Sequence, residues 1–123
     1  MNVTEYNARK SELGITGTGI NSKAKQELKW KDVTVTPAGT PVHIDFSEKT
    51  PTRIYVTIGD EVYQTRLGLA FPRFTGITKP PGLKTMEKWS NDGIAKTVTG
   101  EKTEPDGYGT NGAPSWMLVL EII

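Results

Sequence analysis

The sequence has no cysteine and only one histidine among its 123 residues. Without thiols the chain cannot build a disulfide scaffold, a thiolate zinc site or a cysteine nucleophile. The single imidazole, His43, cannot form a histidine zinc site, because such a site needs several protein ligands. A chain without disulfides suits a reducing compartment, and we expect a cytoplasmic protein.

Long apolar runs are also missing. The longest, residues 116–120, is far shorter than the roughly 20 residues that cross a bilayer, and residues 1–5 lack the apolar segment of a signal peptide. We therefore expect no membrane partner and no secretion. A length of 123 residues, of which 27 are isoleucine, leucine, valine or phenylalanine, predicts one domain, residues 1–123, with a small core.

Charge of one sign does not dominate either, since 15 basic and 14 acidic residues leave a net charge of +1. So small a total gives no general attraction to nucleic acid, membranes or acidic substrates. The charges are unevenly spread, however: residues 1–31, 32–62, 63–100 and 101–123 carry +3, −3, +4 and −3. Residues 63–100 are thus the most basic part of the chain.

Threonine, valine and isoleucine are abundant, with 17, 8 and 9 residues, and their branched side chains favour strands. Alternation of apolar and polar residues predicts three successive antiparallel strands at residues 41–46, 53–58 and 62–67. In the middle one, Ile54 and Val56 are expected to face the core and Tyr55 to face solvent. Residues 28–36 also alternate, and a slip in their phase between Trp30 and Val33 predicts a bulge or bend near Lys31 and Asp32.

A helix is predicted near residues 83–91, where Leu83, Met86 and Trp89 recur at helical spacing. The apolar residues 115–123 predict a last strand that is covered on both faces. The resulting fold class is α+β and mostly β. We expect an antiparallel sheet of roughly five to seven strands, or a small barrel of the OB type, with one short helix.

Residues 66–89 combine cations with aromatic rings, since five lysine or arginine residues accompany one acidic residue, Glu87. Aromatic rings that stack on bases, placed among cations that neutralise phosphates, are typical of single-strand binding. We therefore predict that this segment binds single-stranded DNA or RNA. The candidate residues are Arg66, Phe71, Arg73, Phe74, Lys79, Lys84, Lys88 and Trp89. The alternative is that Phe71 and Phe74 fill the core while the lysines only face solvent.

The predicted C-terminal strand has two arrangements. An apolar strand at an open sheet edge would aggregate, so residues 115–123 are expected either in the centre of the sheet or between two subunits. The second arrangement predicts a homo-oligomer and would compensate for a small core. Its interface residues are Trp116, Leu118, Leu120 and Ile122.

Other chemical motifs are incomplete. His43 and Asp45 are predicted on one face of a strand, but no nucleophile or second proton-transfer group accompanies them. Residues 14–19 lack the glycine spacing of a phosphate-binding loop, and residues 104–112 lack the ligand pattern of a calcium loop. We expect no catalysis, no metal and no cofactor.

Residues 104–120 (EPDGYGTNGAPSWMLVL), together with residues 88–94, resemble the C-terminal signature of small uncharacterised proteins encoded by tailed bacteriophages. The similarity covers the last third of the chain. It implies a viral accessory protein in the bacterial host cytoplasm or in the virion, with no assigned chemistry. A second functional hypothesis is therefore a protein–protein interaction module that inhibits a host factor or serves as a structural or decoration protein of the virion.

Overall fold

The computed structural model describes residues 1–32, 34–67 and 72–121. Its helices are α1 (Val3–Leu13), α2 (Leu83–Asp92) and α3 (Trp116–Val119). Its strands are β1 (Ile20–Lys23), β2 (Leu28–Lys29), β3 (Val35–Thr36), β4 (Pro41–Phe46), β5 (Arg53–Ile58), β6 (Glu61–Arg66), β7 (Ala95–Lys96) and β8 (Lys102–Thr103). The fold is α+β and mostly β, as the abundance of β-branched residues predicts.

The central sheet contains β1, β4, β5 and β6 in the order β1-β4-β5-β6, and every pair is antiparallel. The three strands predicted from alternation form its β4–β5–β6 meander. Gly59 allows the tight turn between β5 and β6, because its φ of 59° lies in the left-handed region. Within the described ranges, β2 and β3 form a separate hairpin, and so do β7 and β8.

The central sheet stays open, with β1 and β6 as its edges. The N–H of Thr75 donates to the carbonyl oxygen of Lys23 (3.0 Å) and so covers part of the β1 edge. Met1 covers the beginning of the β6 edge by pairing with Val62. The predicted alternative of an OB-type barrel is therefore wrong for the described part of the chain, because loop and terminal residues occupy the places where strands would have to pair.

One face of the sheet carries the main core. Ile44, Ile54 and Val56 are completely buried there, as the alternation predicts. Trp116 and Phe74 pack onto them from outside the sheet. Segments from the second half of the chain thus close this side of the protein.

The other face is covered by α1, which was not predicted. The helix begins after Asn2, whose side-chain oxygen accepts the N–H of Glu5 at 2.8 Å, and it ends at Gly14 with a φ of 79°. Tyr6 packs against Tyr55 of β5, with ring centroids 5.6 Å apart. Tyr55 is therefore only 2% exposed. The expectation that it faces solvent is wrong, because α1 lies over that face.

The helix predicted near residues 83–91 is confirmed as α2. It ends at Gly93, which has a φ of 69° and donates its N–H to the carbonyl oxygen of Trp89. Trp89 is half-buried against the main core, whereas Leu83 is exposed. Among the helices that the structure describes, none is long and apolar enough to cross a membrane.

The C-terminal prediction is wrong in its element type, since residues 116–119 form α3. Ser115 starts the helix, because its Oγ accepts the N–H of Met117 at 3.1 Å. Trp116 is 1% exposed, and its indole N–H donates to the hydroxyl of Thr78 at 2.8 Å. A short apolar run is compatible with either a strand or a buried helix. Here the run forms a helix that begins at the Ser115 cap.

This change removes the strand on which the predicted oligomer interface depended. Trp116 is buried within its own chain, while Leu118 and Leu120 are half-buried. Ile122 lies outside the described residues. Formation of a homo-oligomer stays a prediction.

Leu28–Lys29 and Val35–Thr36 pair as the β2–β3 hairpin instead of one bulged strand, and the bend predicted near Lys31 and Asp32 lies between them. The N–H of Trp30 donates to the carbonyl oxygen of Thr34 at 2.9 Å. The carboxylate of Asp32 accepts the N–H of Thr34 at 3.0 Å and stabilises the turn. The slip in phase therefore marks a turn between two short strands.

Candidate functional site

The aromatic residues predicted to stack on bases do not stand exposed among the cations. Phe74 is 2% exposed and belongs to the main core. Trp89 is half-buried against that core, and Phe71 lies outside the described residues. The prediction that Phe74 stacks on a base is therefore wrong, because its ring is enclosed by protein.

The cations of the same segment are more accessible. Arg66, Lys79, Lys84 and Lys88 are exposed. In the described part of the chain none of them forms an ion pair. The acidic C-terminal segment does not neutralise them through such pairs, and its Glu101 instead accepts the N–H of Thr110 at 2.9 Å.

A groove of about 520 Å³ runs along β6 and brings one of the predicted residues, Arg73, together with residues that were not predicted. Residues 61–65 form one wall and residues 26–32 the other, with Met1 and Arg73 also lining it. Met1 lies at the Val62 end, because their main chains are hydrogen-bonded. Arg73 lies at the opposite end, beside Arg66.

Two aromatic rings meet inside this groove. The rings of Trp30 and Tyr63 are stacked, with centroids 4.7 Å apart and planes inclined by 15°. The indole N–H of Trp30 donates to the hydroxyl of Thr36 at 2.9 Å, which fixes the ring on its hairpin. Sequence reasoning missed this pair, because its members lie on different sheets and far apart in the chain.

Arg73 is held at its end of the groove by the neighbouring strand. One Nη donates to the hydroxyl of Thr65 at 3.2 Å and to the carbonyl oxygen of Arg66. The guanidinium also lies over the ring of Phe74, 5.9 Å from its centroid. Burial lowers the pKa of Arg73, but an arginine keeps its positive charge in proteins. Within the described residues its buried Nε–H has no hydrogen-bond partner.

The charges that line the groove are balanced. Three side chains are basic and three are acidic: Lys29, Lys31, Arg73, Glu27, Asp32 and Glu61. The terminal ammonium of Met1 lies 3.8 Å from the carboxylate of Glu61. The groove is therefore aromatic and polar, with both signs of charge available to a ligand.

A second polar cluster lies under α1. His43 and Asp45 share a face as predicted, with 3.3 Å between Nε2 and Oδ1. The hydroxyl of Tyr6 donates to the other oxygen of Asp45 at 2.7 Å, and the Nδ1 of His43 lies 2.9 Å from Oδ1 of Asn21. Asp45 is 2% exposed. An open depression adjoins His43, but both ring nitrogens face partners within the chain, so the cluster connects α1 to the sheet.

No family model, no curated protein and no solved structure matches the chain. The similarity of residues 104–120 to bacteriophage proteins thus stays a prediction.

Proposed function

We propose that this chain is a non-enzymatic binding module that holds a segment of another protein in the groove along β6. The observation that supports this proposal most is the stacked pair of Trp30 and Tyr63, with Arg73 at the end of the same groove. Tryptophan, tyrosine and arginine are the residues that most often dominate the binding energy of protein interfaces. The balanced charges of the groove suit a polypeptide better than a polyanion.

The resemblance to bacteriophage proteins gives this proposal a setting. A viral accessory protein in a bacterial host would bind either a host protein, whose activity it inhibits, or another protein of the virion. Either partner would present a short segment to the groove. One of its side chains would contact the rings of Trp30 and Tyr63, and another would interact with Arg73.

Binding of single-stranded nucleic acid is the second candidate function. It is favoured by the exposed cations Arg66, Lys79, Lys84 and Lys88, none of which forms an ion pair within the described ranges. Such a site would neutralise phosphates and would depend strongly on salt. It is the weaker candidate because Phe74, which was expected to stack on a base, is buried.

Selection of binding peptides tests the first proposal. A library of random dodecapeptides displayed on yeast is sorted against the purified protein, and the enriched peptides are measured against variants. We expect Tyr63→Ala to weaken binding by about tenfold or more, because it removes one of the two stacked rings of the groove. Tyr108→Ala is the matched control, since Tyr108 is half-exposed and does not line the groove.

Two outcomes would contradict the proposal. One is that no peptide is enriched, and the other is that the enriched peptides bind the Tyr63→Ala variant as tightly as the original protein. Binding of an oligodeoxythymidine at low salt, lost when Lys84 and Lys88 are both changed to alanine, would instead support the nucleic-acid function.

A further inference from the structure

The β6 wall of the groove is a strand edge, and some of its main-chain groups have no hydrogen-bond partner in the part of the chain that the structure describes. The N–H of Val62 donates to the carbonyl oxygen of Met1 at 2.8 Å, and the ammonium of Met1 donates to the carbonyl oxygen of Val62 at 3.1 Å. The main-chain groups of Val62 therefore point away from β5. Because these directions alternate along an antiparallel strand, those of Gln64 point the same way. They have no partner among the described residues.

The opposite wall is also a strand edge. The N–H of Trp30 donates to the carbonyl oxygen of Thr34, so Trp30 and Leu28 direct their main-chain groups toward β3. By the same alternation the N–H and C=O of Lys29 point away from β3. Lys29 lines the groove and the residues of β3 do not, so this free edge faces the groove. Its main-chain groups likewise have no partner in the ranges that the structure describes.

We propose that the partner segment enters the groove as an extended strand between β6 and β2, and pairs its main chain with Gln64 and Lys29. This inference depends on the proposed function, because it specifies how the same groove holds its polypeptide. Each of the two positions offers one N–H donor and one C=O acceptor. An extended polypeptide presents donors and acceptors along both of its edges and can satisfy both positions, which is the chemistry of β-strand addition.

A DNA backbone fits these edges less well. Its phosphate and sugar oxygens are hydrogen-bond acceptors, so they could use the N–H groups of Gln64 and Lys29 but would leave the carbonyl oxygens without donors. Removing a polar group from water without giving it a partner costs binding energy. The two facing edges therefore favour a polypeptide occupant.

The charge at one end of the groove predicts which type of side chain the partner segment places there. Arg73 bonds to the carbonyl oxygen of Arg66, and the N–H of Lys25 donates to the carbonyl oxygen of Arg73 at 2.8 Å. The guanidinium of Arg73 thus places a positive charge at this end of the groove. An aspartate or glutamate in the partner segment would complement this charge. An apolar side chain next to this acidic residue in the partner segment would contact Tyr63 and Trp30.

Proline substitution at the β6 edge tests strand pairing directly. Gln64→Pro removes the main-chain N–H that points into the groove, and proline is tolerated where that N–H takes no part in the ladder. Gln64→Ala is the matched control, because it removes the side chain and keeps the N–H. With a peptide selected from the dodecapeptide library, we expect affinity to fall about tenfold further for Gln64→Pro than for Gln64→Ala, since only the proline also removes the N–H.

Methylation of the peptide supplies a second measurement that does not depend on the folding of the proline variant. A series of peptides, each with one N-methylated residue, should contain at least one member that loses about tenfold in affinity. Equal affinity for Gln64→Pro and Gln64→Ala, or a series without any loss, overturns strand addition. If Tyr63→Ala still abolishes binding, the proposed function survives that result. Failure to enrich any peptide overturns both.

Discussion

Replacing Trp116 by alanine is expected to lower the free energy of unfolding by about 3–5 kcal/mol. The side chain is 1% exposed, lies in the main core and donates its indole N–H to Thr78. Its loss leaves a large cavity and removes the donor of the hydrogen bond to the hydroxyl of Thr78. Since small domains are stable by only about 5–15 kcal/mol, the variant should lose a large fraction of its stability. Urea titration of both proteins measures the difference.

Trp89→Ala is the matched control for this experiment, because Trp89 packs against the same core but is only half-buried. We expect it to cost clearly less than Trp116→Ala. Sedimentation velocity on the same samples addresses the predicted oligomer. If Trp116→Ala kept its stability and only changed the mass of the particle, Trp116 would belong to a subunit interface and the buried position of α3 would be wrong.

Tyr6→Phe is expected to destabilise the protein by about 1.5–3 kcal/mol, because it removes a hydrogen bond to a buried carboxylate. The hydroxyl of Tyr6 donates to Asp45 at 2.7 Å, and Asp45 is buried beneath α1. Tyr108→Phe is the matched control. Its hydroxyl donates to the carbonyl oxygen of Glu48, an exposed and neutral acceptor, so its loss should cost about 0.5 kcal/mol. Thermal and urea unfolding of the two variants give the comparison.

The same tyrosine predicts a loss of stability in alkali. Burial, and then the hydrogen bond to Asp45, raise the pKa of Tyr6 above its ordinary value. The folded protein therefore keeps this proton at pH values where the unfolded chain releases it. The contribution is complete below about pH 10 and is lost as the pH rises further. Tyr6→Phe should show a weaker alkaline loss, and an unchanged pH profile would contradict the assigned role.

The β4–β5–β6 meander could be predicted because each strand alternates cleanly and a glycine turn joins the last two. The helix α1 could not, since it buries only Tyr6 and so lacks a regular apolar stripe. The C-terminal run was assigned to the wrong element because a few consecutive apolar residues have no period. Ser115 was the available signal, as a serine before such a run is typical of a helix cap.

The groove was only partly visible in the sequence. The cations of residues 66–89 make Arg73 a candidate binding residue, but the rings that the sequence predicts beside it, Phe71 and Phe74, come from the same stretch of chain. The rings that actually lie in the groove, Trp30 and Tyr63, come together through the packing of two separate sheets. Contacts between residues far apart in the chain depend on tertiary structure, which local patterns do not determine.

Amide hydrogen exchange, resolved residue by residue by NMR, tests whether the groove along β6 pairs with an extended polypeptide. In the free protein we expect fast exchange at Gln64 and Lys29, and slow exchange at Tyr63 and Thr65, which bond to β5. Addition of a selected peptide should slow exchange at Gln64 and Lys29 and leave the other two slow. Slow exchange at Gln64 in the free protein, or fast exchange that persists in the complex, would contradict a groove that binds an extended polypeptide.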